Sequence, residues 1–362
     1  MQLFNQINRY ISYEFFTDLI KVFFIFFILL LLVVAFDEIN LIKKIEDVTL
    51  IISLKLIFFK IPGILFNFTP FIFLFAGILL HLKLKNRNEV VAIRIIGISN
   101  LKLISVSAII AFVLGYIIIF ILNPLVAVTS KEYESIKSSY FTTKNYFFIN
   151  DNGLWILLED GNNKQIIRIE NLDFNKNLAK NITILNLNKD FEFQSRIEAK
   201  EGIFTNNNIK FLNSTTYDKK NNKKNAQLQL NLNFSLKEIE NTFKGSSSFS
   251  IYEIQDQIQN IQKLGYSTDH LKVEYQKLIS LPIYLLAMVL LSGLIIVNLG
   301  ANMGYIFYVT IGVIISVILY FLSDLSITMG KIDKIDLELS VWLPIFFIML
   351  VNFIGLIQVN AK

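Results

Sequence analysis

The sequence predicts a polytopic α-helical membrane protein with six transmembrane helices, plus an inserted all-β domain, jelly-roll-like, between helices 3 and 4. Three observations carry this prediction. Of 362 residues, 54% are hydrophobic and 17% charged, against about 25% charged in an ordinary soluble domain. Asp, Glu, Lys and Arg are absent from residues 22–36, 61–82, 103–130, 278–323 and 339–361. The charges that remain are concentrated between Lys131 and Lys277, which hold 38 of the 63.

A hydrocarbon core about 30 Å thick needs roughly 20 apolar helical residues, so each charge-free run is a span. The first run is short, but Leu19, Ile20 and the aliphatic stem of Lys21 extend it. The run 278–323 holds 46 residues, enough for two spans. It breaks at Asn298-Leu299-Gly300-Ala301-Asn302-Met303-Gly304, read as a tight loop. The resulting division is 1–130 (helices 1–3, with a cytoplasmic helix near 88–97), 131–270 (the β domain and a connector helix) and 271–362 (helices 4–6). Pro62, Pro70 and Pro282 fall inside spans two and four and are expected to bend them.

In the insert the period changes from helical to two. Residues Gln227 to Leu236 alternate polar and apolar for ten positions, as in a half-buried strand. Weaker strands are expected at 154–158, 165–169, 182–187 and 203–212, separated by turns rich in Asn, Gly, Asp and Lys. Many short strands with frequent turns indicate a sandwich or jelly roll. Ile251, Ile254, Ile258 and Ile261 then recur at helical spacing, and Gly265 is expected to end that helix.

Loop charges set the orientation. Residues 83–102 carry Lys83, Lys85, Arg87, Arg94 and Lys102 against Glu89, whereas 37–53 carry Lys43 and Lys44 against Asp37, Glu38, Glu46 and Asp47. Positive loops stay inside. Both termini are therefore expected in the cytoplasm and the β domain on the opposite face, where its lack of cysteine is compatible with a bacterial periplasm. No cleaved signal peptide is expected, because polar residues continue to Asp18 before the first span.

The chemistry classes narrow quickly. There are no cysteines and only two histidines, so thiolate chemistry is excluded and a histidine metal site disfavoured. His81 is read as a solvated interfacial residue, His270 as a surface one, and Asp324 as solvated at the far interface. No G-x-x-x-x-G-K-[ST] loop occurs, so no cofactor is expected and any ATP must be hydrolysed by another chain. The net charge is a modest +5, and nucleic acid is not an expected partner. The Phe residues of spans one and two, drawn from 33 in the chain, either line a lipid-accepting cavity or are lipid-facing bulk.

The most informative polar segment runs from Asn86 to Ser99. Asn88 is placed as an N-cap, Glu89 in the first turn where the helix dipole favours an anion, and Gly97 as the terminator. Such a helix displays an acid and exposed aliphatics, a surface that either docks a soluble partner or lies on lipid.

From Glu89 to Ser99 the order acid, two apolar residues, Ala, apolar, Arg, two apolar residues, Gly, apolar, Ser resembles the motif of the LptF/LptG permeases of lipopolysaccharide export. The plan of three spans, a strand domain and three spans is similar too, as is the opening Asn8-Arg9-Tyr10-Ile11. Gly153-Leu154-Trp155 and Leu343-Pro344 look more like the LptG branch. The resemblance implies a permease subunit of an ABC-type complex that extracts lipopolysaccharide and passes it to a periplasmic bridge. It implies that helix 88–97 docks in a groove of the dimeric ATPase LptB, with Glu89 the principal polar contact and Arg94 the second. Headgroup contacts are implied at Lys131 and Lys137 after span three. Where the LptG branch can place a lysine in span one this chain has Val34, so either the headgroup is bound with fewer cations or Lys43 and Lys44 substitute from the loop. The sister subunit LptF, and LptC and LptA through the β domain, are the other implied partners. The row Leu228, Leu230, Leu232, Phe234 and Leu236 serves equally a sheet core or strand addition to such a partner. The rival readings are LptF itself, a membrane-anchored scaffolding or binding protein, and an intramembrane lipid enzyme. The last is disfavoured by the scarcity of ionisable groups within the spans.

Overall fold

The computed structural model describes residues 2–42, 50–141, 146–150, 153–160, 163–173, 177–189, 191–205, 208–218, 222–231, 249–263, 268–298 and 304–361. Lys43, Lys44, Gly265, the loop 299–303 and the continuation of the alternating strand through Leu232, Phe234 and Leu236 lie outside them. The chain forms two compact units, one of residues 1–133, 247–252 and 272–362, the other of residues 134–246 and 253–271.

The first unit contains the apolar helices. Its elements are α1 (Gln2–Ile42), α2 (Leu50–Asn86), the short α3 (Glu89–Ile95) and α4 (Asn100–Ile117), then a π-turn (Ile118–Leu122) leading into α5 (Asn123–Phe141). After the strand region and the connector helix α6 (Ile254–Lys263) come α7 (Asp269–Asn298), α8 (Tyr305–Lys331) and α9 (Leu337–Ala361). Among the described residues, six stretches are long and apolar enough to cross a membrane: Gln6–Ile39, Ile51–Asn86, Asn100–Lys137, Asp269–Asn298, Tyr305–Lys331 and Leu337–Gln358. The expected loop 37–53 is shorter than its charges implied, because helix continues through Asp37 and Glu38 to Ile42 and resumes at Leu50. A lipid-embedded backbone must satisfy its own hydrogen bonds, which favours keeping charged residues helical until the boundary is passed.

The π-turn has a local cause. Pro124 has no N–H for the carbonyl four residues back and its ring crowds it; one wider turn relieves the clash. The Phe120 carbonyl instead accepts from the Tyr252 hydroxyl at 3.4 Å, and Asn123 Oδ1 accepts the Ile251 N–H at 2.7 Å. Residues that return from the strand insertion thus pin the end of span three.

Small residues set the helix contacts. A Cβ on Gly115 of α4 would lie 2.6 Å from the Pro282 Cα of α7. Asn352 of α9 donates to the Ala287 carbonyl at 2.8 Å, and Trp342 Nε1 donates to Gln276 Oε1 at 3.1 Å. Both are polar ties of the kind that join helices in lipid. One buried cluster joins Phe15, Phe73, Leu80 and Leu285; another joins Leu74, Ile78, Met288 and Tyr308.

Among the described residues, the second unit holds a seven-stranded antiparallel sheet of β1 (Tyr146–Asn150), β2 (Gly153–Asp160), β3 (Asn163–Asp173), β4 (Leu178–Asn188), β5 (Phe193–Thr205), β6 (Asn208–Asp218) and β7 (Asn222–Asn231). Each strand pairs with its neighbour in sequence. Ile156, Ile167, Ile184 and Ile197 stand opposite one another across four strands, and all four are buried. The next row pairs small with large, as Leu172, Ala179, Gly202, Phe211 and Leu228. A bulge at Asn186/Leu187 shifts the β4–β5 register. The expected strand 203–212 is corrected: it straddles a hairpin, with Thr205 paired to Asn208, and its halves belong to β5 and β6. β1 had not been expected, nor the first ten residues of β5, where Arg196, Glu198 and Lys200 mask the buried positions Ile197 and Ala199. The connector helix α6 (Ile254–Lys263) follows, with Ile254 buried and Ile261 packed on the sheet core.

Candidate functional site

The short helix α3 stands between spans two and three, as its sequence implied, but its ends are built differently. Asn88 adopts left-handed geometry (φ 56°) and its side chain makes no cap bond. The capping residue is Ser99, which accepts the Lys102 N–H at 3.3 Å and starts α4. Gly97 does close α3, with φ +89° and its N–H on the Arg94 carbonyl at 2.9 Å.

A charged network ties α3 to spans one and two. The Tyr10 hydroxyl lies 3.1 and 3.0 Å from the two Glu89 carboxylate oxygens. Arg87 Nη1 is 3.3 Å from the Tyr10 hydroxyl, 3.5 Å from Glu14 and 3.7 Å from Glu89. The Tyr10 contact is the first cause holding the Arg87 guanidinium above its ordinary pKa. Lys83 Nζ reaches Glu14 at 2.6 Å and Asp18 at 2.7 Å, and Lys21 reaches Asp18 at 3.3 Å. Asp18 is only 2% exposed, so its charge is tolerable only because two ammonium groups face it. Tyr10, Glu14 and Asp18 recur every four residues on one face of α1, a signal present in the sequence and not used.

Glu89 and Arg94 lie on the same helix but are not brought together. Five residues rotate by about 140° around an α-helix, and Arg94 lines a separate cavity of about 430 Å³. His81 lines the same cavity and corrects the solvated reading. It is 2% exposed, with Nδ1 donating to the Gly77 carbonyl at 2.7 Å. Val91, Ile95 and Ile96 leave an apolar surface exposed beside Arg94.

At the opposite ends of spans one to three is a second set of charges. Glu38, 1% exposed, accepts from Lys60 at 2.6 Å and from the Tyr133 hydroxyl at 3.0 Å. Sequence reasoning missed this trio because both charged residues lay just outside the charge-free runs. Among the headgroup candidates, Lys131 is exposed with its ammonium 5.9 Å from the Phe249 ring centroid. Lys137 is half-buried.

Between these boundaries α1, α2 and α8 enclose an apolar groove of about 590 Å³, lined by Phe26, Phe68, Phe71, Phe75, Val313 and Tyr320 among others. Phe26, Phe68, Phe71 and Phe75 of spans one and two therefore face this groove, while Phe23 and Phe24 are exposed.

Six apolar helices among the described residues, a greasy groove among three of them and a short helix braced to two of those three by charge define a multi-pass membrane protein. The model of the family described as Lipopolysaccharide export system permease LptF/LptG matches residues 9–358. The protein belongs to this family and is a lipopolysaccharide export permease of the inner membrane. Among individually curated proteins, none matches the chain.

Proposed function

We propose that this chain is the LptG-like half of a heterodimeric permease with LptF. In this reading it draws lipopolysaccharide from the outer leaflet of the inner membrane, and ATP is hydrolysed by a separate LptB dimer, the chain carrying no phosphate loop of its own. The carrying observation is the network from Glu89 through Tyr10, Arg87 and Glu14 to Lys83 and Asp18. It makes α3 continuous with α1 and α2, two of the three walls of the groove, so a push on α3 moves those walls as a body. Exposed Val91, Ile95 and Arg94 supply the docking surface, with Glu89 as the principal polar contact. The excess of Lys and Arg in 83–102 puts this boundary, and both termini, in the cytoplasm, and the β domain in the periplasm. Acyl chains occupy the groove, while Lys131 and Lys137, with Lys43 and Lys44, supply cations for the phosphates. Among the described residues β1 and β7 stand at the two ends of the sheet order, the positions from which strand addition to LptC, and through it LptA, would proceed.

Glu89→Ala tests the reading by co-purification with the cytoplasmic ATPase. At least tenfold weaker retention, or coupled lipid release falling to background, is expected; wild-type retention together with wild-type release would sink it. The anchored-scaffold alternative predicts indifference to this change.

A further inference from the structure

Span three changes register at its π-turn, Ile118–Leu122. Such a turn holds one residue more than a turn of α-helix. Each residue beyond it therefore takes the place its predecessor would hold in an unbroken helix, a shift of about 100° around the axis and about 1.5 Å along it.

Four contacts beyond the turn depend on this register. Asn123 Oδ1 accepts the Ile251 N–H at 2.7 Å. A Cβ on Gly63 of α2 would lie 3.4 Å from Ser130 Oγ. The Lys131 ammonium lies 5.9 Å from the Phe249 ring centroid, and the Tyr133 hydroxyl reaches Glu38 at 3.0 Å. In an unbroken helix these four places fall to Leu122, Thr129, Ser130 and Glu132. Leu122 has no acceptor side chain, and Glu132 would set a second carboxylate against Glu38, which is 1% exposed.

Pro124 disturbs the helix without choosing the remedy, because a kink relieves its clash as a π-turn does. The choice is made from outside span three. Ile251 packs on the buried cluster of Phe15, Phe73 and Leu285 while its N–H holds Asn123. The next residue, Tyr252, donates to the Phe120 carbonyl at 3.4 Å and sets its ring 6.3 Å from the Phe120 ring. That carbonyl is the one Pro124 leaves without its helical N–H. Two successive residues thus grip the turn from both sides of its extra residue.

We infer that residues 249–252 are a register lock, with Asn123 and Tyr252 as positioning residues that hold the π-turn and so aim Tyr133 at Glu38 and Lys131 at Phe249. The chain returning from the strand insertion decides which side chains at the start of α5 face spans one and two. The use of Lys131 as a headgroup cation rests on the permease reading; the lock itself requires neither cargo nor ATPase.

The chain has no cysteine, so an engineered pair reports the register without background. In the full-length protein in isolated membranes, Gly63→Cys with Ser130→Cys reads the observed register and Gly63→Cys with Thr129→Cys the unbroken one. On mild oxidation the first pair is expected to form its disulfide about fivefold more than the second. Asn123→Leu with Tyr252→Phe removes both strap bonds and is expected to cut the first yield about threefold while raising the second. Deleting Ile121 from that double variant removes the extra residue, so an unbroken helix again sets Ser130 against Gly63 and the first yield is expected to recover. Yields unchanged by the double variant overturn the inference. Loss of both disulfides without recovery on deletion overturns it as well, by showing general loss of packing. No readout involves lipid or ATP, so either result leaves the permease reading standing.

Discussion

Lys83 is the residue on which the charged network turns. Its ammonium meets Glu14 at 2.6 Å and Asp18 at 2.7 Å, and Asp18 is 2% exposed. Removing one partner of a buried pair leaves an uncompensated charge, which costs more than the pair was worth. Lys83→Met is therefore expected to destabilise the protein by about 3 kcal/mol, somewhat offset by the Lys21 contact at 3.3 Å. Adding Asp18→Asn is expected to recover more than half of the loss. Thermal unfolding midpoints in detergent, read as a double-mutant cycle, decide it; strictly additive effects would show that the two groups do not interact. Tyr10 makes a contrasting case. Its hydroxyl touches Glu89 and Arg87 at the exposed rim, so Tyr10→Phe is expected to leave the midpoint nearly unchanged. The coupling reading predicts that the same substitution lowers lipid release per ATP hydrolysed. An unaltered ratio would show that the hydroxyl does not transmit motion.

At the scale of elements, glycines separate crowding from backbone strain. On α4 a Cβ at Gly115 meets Pro282 backbone at 2.6 Å, whereas at Gly97 nothing lies within 4 Å and only φ +89° opposes a side chain. Gly97→Ala is expected to cost about 1–2 kcal/mol through the left-handed conformation alone. Gly115→Val must push two helices apart and is expected to cost at least about 3 kcal/mol and lower yield. Similar costs for both would refute the close approach of α4 and α7. In the sheet the opposite sign is expected. Ser214 on β6 faces Ala199 across the ladder, is 1% exposed, and its Oγ has no hydrogen-bond partner among the described residues. Ser214→Ala removes a desolvated hydroxyl and is expected to stabilise the sheet by about 1 kcal/mol, seen as a raised midpoint. Helices were the legible elements, because absence of charge over some twenty residues reports burial in lipid directly. The strands were less so. The alternation from Gln227 stood out and Leu154–Leu158 was weaker, but β5 carries Arg196, Glu198, Lys200 and Glu201, and its two-residue period slips at Lys200 and Glu201, both exposed between buried Ala199 and Gly202.

For the whole molecule, membership in the family was legible from α3 and the order of parts. What the linear chain hid is how distant segments meet. Tyr10 lies 79 residues from Glu89 in sequence and Glu38 lies 95 from Tyr133; only folding reveals such pairs. The groove was hidden for the same reason, since which Phe residues face it depends on the placement of α8 beside α1 and α2. Its use by the cargo can be tested without disturbing the charged network. Val313 lines the groove from α8 and is half exposed, so a larger side chain there meets open space rather than a packed core. Val313→Trp inserts a bulky ring among Phe68, Phe71 and Phe75 and competes with acyl chains for the same surface. If the groove accepts lipid, lipopolysaccharide release is expected to fall about tenfold or more, with ATPase association and the unfolding midpoint unchanged. A matched exposed position on the same helix that does not line the groove, Ile318→Trp, is expected to leave release intact. Equal behaviour of the two variants would place the cargo path elsewhere, because bulk added to a lipid-facing surface changes nothing that a bilayer cannot accommodate.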